Sequence, residues 1–249
     1  ESNRWSGCVQ KKWFFSDTNR FSITGGGRSI YWDANKQLII SPRAAFSFKP
    51  RWIRDFIFRL SGGFYHQPPF YRELRDLDGF LHTDLKAQQS IHIVAGSDYN
   101  FMVWERPFKF VSEIYYKHLT DLVPYKIDNV RIRYYANNNS DGYATGVDLR
   151  INGEFVKGLE SWGSLSVMQT QEDIQGDYYY EYYNSEGEKI FKGYTYNDIP
   201  TDSIRFEPGY IPRPTDQRVT FGLFFQDFLP LLPDFKMHLS LLFGTGFPF

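Results

Sequence analysis

The stretch DFIFRLSGGFYH, residues 55–66, alternates bulky apolar side chains with polar or small ones at nearly every position. Successive side chains of an extended chain point to opposite faces, so this alternation sorts them onto two sides. One side carries Phe56, Phe58, Leu60, Gly62 and Phe64, and the other carries Asp55, Ile57, Arg59, Ser61, Gly63 and Tyr65. An amphipathic helix would repeat its apolar positions about every 3.6 residues instead. The stretch therefore predicts a β-strand with one apolar face.

The same period of two recurs along most of the chain. Clear alternation covers 108–117, 147–152, 218–226 and 235–243, and less regular candidates cover 5–15, 21–32, 42–49, 90–103 and 159–171. No segment has the spacing of a long amphipathic helix. We therefore predict an all-β chain of roughly ten antiparallel strands, forming one domain over residues 1–249.

The composition is unusual for an aqueous protein because 19% of the 249 residues are aromatic, with 24 Phe and 18 Tyr. Mean hydropathy is −0.46, and the chain contains no apolar run long enough for a transmembrane helix. A search for long apolar runs does not detect a membrane β-barrel, since only alternate residues of each strand contact lipid. The net charge of −1 gives no electrostatic basis for binding nucleic acid.

The chain termini and the cysteine content add two smaller expectations. Cys8 is the single cysteine, which excludes an internal disulfide or a CxxC metal site. The first residues, from Glu1 to Trp5, lack the basic and then apolar region of a secretory signal. For an exported protein, this predicts that a signal was removed or that the chain starts within a longer precursor.

The connections between predicted strands alternate between short and long. Short ones fall at 50–54, 105–107, 156–158 and 230–234, and long polar ones at 67–85, 120–142 and 172–217. Outer-membrane barrels have short periplasmic turns and long external loops, whereas a soluble β-sandwich has no reason to sort its connections in this way. The pattern therefore favours an antiparallel transmembrane β-barrel of the outer-membrane type.

Aromatic residues near the ends of the predicted strands indicate two interfacial girdles. Those near the short turns are Trp52, Trp104, Phe108, Phe155, Trp162, Phe228 and Phe235, and those expected nearer the long loops are Tyr65, Tyr99, Tyr116 and Tyr143. On the side opposite the apolar residues, charged side chains are expected to face the lumen: Arg59, Glu113, Asp148, Arg150, Glu154, Arg218 and Lys236. They predict a polar path or a surface on which a plug docks, and the alternative is a solvated barrel interior held by ion pairs.

Three loop segments are the candidate solute-binding sites, because a rigid barrel displays its loops outward. The first offers Phe70, Tyr71 and Arg72 behind two prolines. The second offers Asn138 and Asp141 in a segment rich in oxygen ligands, but it lacks the Gly and Glu positions of an EF-hand, so a plain polar turn is favoured over a calcium site. The third offers Tyr179, Tyr180 and Tyr182, for which a β-hairpin extending the barrel wall is the alternative.

The sequence offers no arrangement suited to covalent chemistry, so the chain is not expected to be an enzyme or to hold a cofactor or metal. Its five histidines are scattered, and His238 shares a strand face only with Ser240. The run Gly25-Gly26-Gly27 lacks the lysine of a phosphate-binding loop and predicts a bulge or turn.

Several stretches resemble the barrel portion of a TonB-dependent outer-membrane receptor of the Bacteroidetes type. The similar stretches are Gly62 to Leu74, Lys86 to Phe101, Tyr115 to Tyr125, Asn129 to Asn137, Gly142 to Leu149 and Phe235 to Phe249. The resemblance implies a barrel of about 22 strands around a plug, of which about ten strands are expected here. No plug domain and no TonB box are recognisable in these residues. The last predicted strand, 235–244, rises from a short turn and the chain stops where a long loop should begin, so the barrel is expected to be unfinished.

The resemblance also implies a function and a location, the bacterial cell outer membrane. Such a receptor takes up a scarce large solute (a siderophore, cobalamin, an oligosaccharide or a peptide) with energy from TonB. Its expected partners are outer-membrane lipid, TonB through a plug domain, and in some cases a surface lipoprotein. The alternative is a small outer-membrane pore or structural scaffold that holds partner proteins, since about ten strands could close by themselves.

Overall fold

The computed structural model describes residues 2–15, 20–229 and 232–248, and its main feature is one antiparallel sheet of ten long strands. In chain order the strands are β1 (Arg4–Phe14), β2 (Phe21–Trp32), β3 (Gln37–Phe48), β4 (Asp55–Gln67), β5 (Gln88–Val103), β6 (Arg106–Leu122), β7 (Tyr125–Asp128), β8 (Arg131–Tyr134), β9 (Ser140–Val156), β10 (Leu159–Ile174), β11 (Tyr179–Tyr183), β12 (Asp202–Phe206), β13 (Tyr210–Pro212), β14 (Val219–Leu229) and β15 (Leu232–Gly244). The prediction of an all-β chain with about ten antiparallel strands is confirmed. The strand predicted at 42–49 begins five residues earlier, at Gln37.

Neighbouring strands of the sheet follow one another in the chain, apart from two inserted segments. The order is β1-β2-β3-β4-β5-β6-β9-β10-β14-β15, and the short strand β13 adds to β10. The pairs β7-β8 and β11-β12 form separate two-stranded sheets within the long connections. Within the described residues, β1 and β15 pair on one side only, so the sheet ends in two open edges. No helix in the same part of the chain is long and apolar enough to cross a bilayer.

The connections are sorted between the two ends of the sheet as predicted. One end, called the short-turn end, has the connections 49–54, 104–105 and 157–158, and the other, called the long-loop end, has 68–87, 123–139 and 175–218. The four-residue turn 33–36 also lies at the long-loop end. The turn predicted at 230–234 is shorter because β15 begins at Leu232, and residues 230 and 231 lie outside the described residues.

The turn between β5 and β6 shows why these hairpins are tight. Trp104 and Glu105 both adopt left-handed backbone, with φ of 51° and 59°. A two-residue turn with positive φ at both positions matches the right-handed twist of the strands that it joins. The favourable hairpin geometry offsets the steric cost that two non-glycine residues incur in this conformation.

Continuous pairing gives the sheet two chemically different faces. One row of paired residues crosses nine strands and is apolar throughout: Trp13, Ile23, Phe46, Leu60, Ala95, Ile114, Val147, Val167 and Val219. The adjacent row on the opposite face is polar or small from β2 to β15: Ser22, Ser47, Arg59, Gly96, Glu113, Asp148, Ser166, Thr220 and Gly244. We call these the apolar face and the polar face.

The bulge or turn predicted at Gly25-Gly26-Gly27 is wrong. The three glycines lie inside β2 and pair in unbroken register with both β1 and β3. A Cβ atom added at Gly26 would lie 2.6 Å from the backbone oxygen of Val9. Close approach of the neighbouring backbone therefore accounts for at least this glycine.

Candidate functional site

Aromatic rings form an unbroken belt on the apolar face near the short-turn end. The contacts between ring centroids run from Phe56–Tyr99 (4.2 Å) through Tyr99–Phe101 (4.9 Å), Phe101–Phe108 (5.7 Å) and Phe108–Phe155 (5.0 Å) to Phe155–Phe225 (6.5 Å). The placement of Tyr99 near the long loops was therefore wrong, because Tyr99 lies only a few residues before the turn at 104–105. The belt spans six neighbouring strands, from β4 to β14, and all of them except β10 contribute a ring.

A second, sparser group of rings lies on the apolar face near the long-loop end. Trp5 stacks on Tyr31 at 5.8 Å, and Tyr116 stacks on Tyr143 at 6.3 Å. Tyr210, from β13, lies 5.7 Å from Tyr143. Between the two groups the apolar face is mainly aliphatic. Aromatic rings at both edges of an aliphatic zone are the arrangement expected of a surface that crosses a lipid bilayer.

Three residues that were assigned to the girdles lie on the polar face instead. Trp162 pairs with Asn152 and Phe228 pairs with Lys236, and both partners belong to the polar face. Tyr65 stacks on His92 at 4.1 Å on that same face. The distance of a residue from a turn sets the height of its ring along the strand. Which face of the sheet carries the ring depends on whether the residue occupies an odd or an even position in the strand.

The polar face carries a group of paired charges at its centre. Arg59 Nη2 lies 2.7 Å from Asp98 Oδ1 and 3.2 Å from Glu113 Oε1. Lys109 Nζ lies 2.8 Å from Asp98 Oδ2, and the Asp98 side chain is buried. The lumen-facing residues predicted from the sequence include Arg59 and Glu113 but not Asp98 or Lys109. Counting alternate positions back from Glu113 along β6 would have identified Lys109.

The remaining charged residues predicted for this face are dispersed along it. Asp148 accepts a hydrogen bond from Ser166, and the Arg150 guanidinium lies 5.2 Å from the Trp162 ring. The Arg218 Nε atom lies 2.7 Å from Asp216 Oδ2, and Lys236 Nζ lies 5.8 Å from the Phe228 ring. Glu154, at the short-turn end, accepts a hydrogen bond from the Gly158 backbone N–H at 3.0 Å.

Two of the long loops fold over the polar face at the long-loop end. Trp32, the last residue of β2, is 1% exposed and packs in a cluster with residues of the 68–87 and 123–139 loops: Leu74, Leu85, Val123 and Ala136. A second buried cluster joins Ile30 and Ile39 to Ala87. The loops therefore form a roof on the polar side of the sheet and leave the apolar face open.

Glu73 holds the first of these loops against the sheet. Its carboxylate is buried and accepts hydrogen bonds from the Phe70 backbone N–H (2.8 Å) and from Gln88 Nε2 (3.1 Å). Burial raises the pKa of Glu73 above its ordinary value near 4.5, and the two hydrogen bonds and Arg4 oppose that rise. The desolvated carboxylate is therefore a pH-sensitive contact in the docked loop.

Docking of the 68–87 loop should weaken as the pH rises through the raised pKa of Glu73. A group with a raised acid pKa binds its proton more tightly in the docked state, so its contribution is greatest below its ordinary pKa. The variant Glu73→Gln should remove this pH dependence while keeping an acceptor for the Phe70 N–H. Limited proteolysis within 68–87 between pH 4 and 8, corrected for protease activity, measures it. An unchanged pH profile in the variant would contradict the assignment.

The third long loop is fastened to β10 by two buried carboxylates. Asp216 Oδ1 accepts a hydrogen bond from the Thr170 backbone N–H at 2.7 Å, and Asp216 also pairs with Arg218. Glu172 Oε2 lies 3.2 Å from Arg213 Nε. Both carboxylates are almost completely shielded from solvent. Charge-assisted hydrogen bonds of this kind position the end of the loop relative to the sheet.

Replacing Asp216 by alanine should release the 175–218 loop from β10. The change leaves the Thr170 N–H without its acceptor and removes the partner of Arg218, which together cost about 1–3 kcal/mol. Hydrogen exchange at the Thr170 amide should quicken by about tenfold or more. Asp198→Ala is the matched control because Asp198 lies exposed in the same loop. Equal exchange rates in the two variants would show that Asp216 does not anchor the loop.

A cavity of about 430 Å³ lies between the loops and the polar face. Tyr65, Gln67, Gln88, Ser90, His92 and Leu119 line it from the ends of β4, β5 and β6, with His66, Gln89 and Leu122 beside them. Glu73 reaches it from the first loop, and Arg213 reaches it from the third. Its size is within the range of small-molecule sites. Sequence analysis missed the cavity because the loop residues and the strand residues that line it are far apart in the chain.

The loop residues selected from the sequence lie outside this cavity lining. Phe70, Tyr71 and Arg72 are exposed, and the Tyr71 hydroxyl lies 3.1 Å from Ser2 Oγ. The side-chain amide of Asn138 is engaged by the backbone of Lys86 (2.8 and 3.2 Å) and the carbonyl of Asp121 (2.7 Å), and so joins two loops. Asp141 accepts a hydrogen bond from Gln175 Nε2 at 2.8 Å.

The segment that contains Tyr179, Tyr180 and Tyr182 is a β-strand, as the alternative prediction of a β-hairpin required. This strand does not extend the main sheet. β11 pairs with β12 in a separate two-stranded sheet. Tyr180 and Tyr182 lie on one side of it with Arg205, whose guanidinium is 4.2 Å from the ring of Tyr178. Tyr179 lies on the other side against Phe206. All three predicted tyrosines are about half exposed.

These observations define an all-β protein whose ten-stranded antiparallel sheet has one apolar face, one polar face and a loop-covered cavity. No protein-family model matches the chain, and no curated protein matches it in sequence.

Proposed function

We propose that the chain forms part of the wall of an outer-membrane β-barrel, with its apolar face in contact with lipid and its polar face toward a hydrated interior. The observation that carries the proposal is the nine-strand apolar row, whose members include Leu60, Ile114 and Val167 at 52%, 57% and 47% exposure. Large exposed apolar surfaces on an aqueous protein are unfavourable, so such a row requires an apolar partner along its whole length. Lipid meets that requirement on every strand at once.

The dimensions of the apolar face support the same conclusion. Eight positions of β6 separate Phe108, in the belt at the short-turn end, from Tyr116, in the group at the long-loop end. At roughly 3.4 Å per residue they span about 27 Å before strand tilt. The lipid-facing zone of outer-membrane barrels is roughly 25 Å tall. The aliphatic zone is therefore of bilayer thickness.

Within this class, we propose active uptake of a scarce large solute with energy from TonB, in a barrel of about 22 strands. The stretches that resemble TonB-dependent receptors support this choice, and so does the position of the loops over the polar face. The open edges of β1 and β15 would pair with further strands of the wall. TonB would act through a plug domain, a surface lipoprotein could bind at the loops, and no covalent chemistry is required of these residues.

Selective quenching of tryptophan fluorescence by brominated lipid tests the membrane proposal. Trp13 belongs to the apolar row, and Trp162 lies on the polar face. Two variants, each retaining one of these residues and carrying Phe at the other tryptophan positions, are refolded into vesicles. Quenching of Trp13 with little quenching of Trp162 is expected. Equal quenching, or a monodisperse folded chain in buffer without detergent, would contradict the proposal.

Disulfide trapping distinguishes the large barrel from a small pore closed by these ten strands alone. Cys8 is exposed near the middle of β1, on the polar face. Single cysteines are introduced in turn at the polar-face positions of β15 (Lys236, His238, Ser240 and Leu242). Direct pairing of β1 with β15 would bring one of them within the roughly 4–7 Å Cα separation of a disulfide. The large barrel predicts no intramolecular disulfide, and the Cys8→Ser background is the control.

A further inference from the structure

The two charged groups that line the cavity between the loops and the polar face, Glu73 and Arg213, already have hydrogen-bond or ion-pair partners in the protein. Glu73 accepts hydrogen bonds from the Phe70 N–H and from Gln88, and Arg213 pairs with the buried carboxylate of Glu172. An anionic solute would have to compete with the buried carboxylate of Glu172 for Arg213, and a cationic one would require the ionised form of Glu73, which burial disfavours because it raises the pKa of that group. Leaving a buried partner uncompensated is costly, so the wall is poorly suited to an ionic solute.

The hydrogen-bonding capacity that remains belongs to neutral side chains. Ser90 Oγ is buried and has no hydrogen-bond partner among the described residues. Buried polar groups are almost always paired with protein, water or ligand, so this hydroxyl indicates a missing partner. Gln67, at the end of β4, is exposed and offers both a carbonyl and an amide group.

Tyr65 can offer a solute its hydroxyl group but not the face of its ring. The Arg43 guanidinium lies 4.7 Å from the Tyr65 ring, and His92 stacks on the same ring at 4.1 Å. The ring is therefore occupied by protein contacts, and what it offers to a solute is its hydroxyl group. Leu119 and Leu122 supply a small apolar area beside these groups. The wall thus combines amide, hydroxyl and imidazole groups with a limited apolar surface.

We propose that this cavity binds one or two sugar units of a neutral oligosaccharide rich in hydroxyl groups, for which mono- and disaccharides are the probes, and does not bind an ionic solute. Ser90, Gln67 and Tyr65 bind the solute hydroxyls, and the two leucines contact its carbon atoms. This assignment deepens the proposed uptake function and rests on it. Among the solutes that the resemblance left open, it favours oligosaccharides over charged metal chelates. Hydroxyl groups both donate and accept, which matches the mixed donors and acceptors of this wall.

Calorimetric titration of the full chain, folded in detergent, tests the proposal. The neutral solutes are glucose, galactose, xylose, maltose and lactose, and citrate is the ionic comparison. At least one neutral solute should bind saturably, and citrate should not compete with it. In the double variant Gln67→Ala with Ser90→Ala, the dissociation constant should rise about tenfold, because two neutral hydrogen bonds are lost.

Ser61→Ala is the matched control, since Ser61 lies on the polar face of β4 outside this lining. It should bind like the unaltered chain, and circular dichroism should show that all variants retain their strands. Binding of citrate alone, binding of none of the neutral solutes, or equal weakening by the control would overturn the assignment. Because the titration needs neither a bilayer nor TonB, its failure leaves the fluorescence result on membrane contact unaffected.

Discussion

Replacing Ile114 by lysine should destabilise folding into a lipid bilayer by about 1–3 kcal/mol, because a lysine costs about 2–4 kcal/mol at the midplane of a barrel and less toward the interface. Ile114 is 57% exposed and lies in the middle of the apolar row, between the two groups of aromatic rings. If hydrocarbon covers this position, the ammonium group must be desolvated or must reach for the interface. Denaturant titration in vesicles of defined chain length measures the change.

The control is Val94→Lys, one strand away on the opposite face. Val94 pairs with Tyr115, the residue that follows Ile114, so the two positions lie at nearly the same height. A lysine there enters the hydrated side, and a loss below about 1 kcal/mol is expected. If the two lysines cost the same, the faces do not differ in their surroundings, and the membrane proposal fails with that result.

The contrast between these two positions could be predicted from the sequence because it depends on local geometry. Side chains of an extended strand must alternate, so residues 55–66 reveal both faces of β4 without knowledge of its neighbours. Antiparallel pairing through short turns then aligns the faces of successive strands. The turn at 104–105 leaves β5 and β6 in a register that places Tyr99 opposite Phe110.

What the sequence did not reveal depends on contacts between distant parts of the chain. Ile30 and Trp32 sit on the polar face, where simple alternation predicts contact with water. They are buried because loops that follow later in the chain fold onto them. The cavity arises in the same way, since Glu73 and Arg213 meet around it from loops 140 residues apart. The amino-acid composition of either loop does not indicate that the two loops approach each other at the cavity.

Two other differences depend on a neighbouring backbone segment whose position a single sequence does not reveal. A run of three glycines is compatible with a turn and with a strand crowded by its neighbours, and in β2 the second cause applies at Gly26. Asn138 has the side chain of a ligand-binding residue, yet two of its contacts join it to the 68–87 loop at Lys86 and the third joins it to the end of β6 at Asp121. In both cases the deciding partner is a backbone segment whose position follows from the fold.

Replacing Trp32 by alanine should undock the 68–87 and 123–139 loops while leaving the ten-stranded sheet intact. Trp32 is almost completely buried, contacts residues of both loops, and also lies 4.3 Å from the guanidinium of Arg4. Truncation of a buried tryptophan costs about 3–5 kcal/mol. Among the described members of this cluster only Trp32 belongs to the ten-stranded sheet, so its truncation weakens the docking of the loops rather than strand pairing. The sheet itself is held by backbone ladders that do not include this ring.

Hydrogen exchange resolves the two effects residue by residue. The His82 backbone N–H, which donates to the Leu74 carbonyl at 2.8 Å, should exchange about 10²–10³ times faster in Trp32→Ala. Amides in the middle of β5 should be unaffected. Tyr31→Ala is the control, because its ring lies on the apolar face and is 38% exposed. Faster exchange throughout the sheet would show that the loops and the sheet unfold together. Trp32 would then belong to one core shared by the sheet and the loops, and not to a loop cluster that can undock by itself.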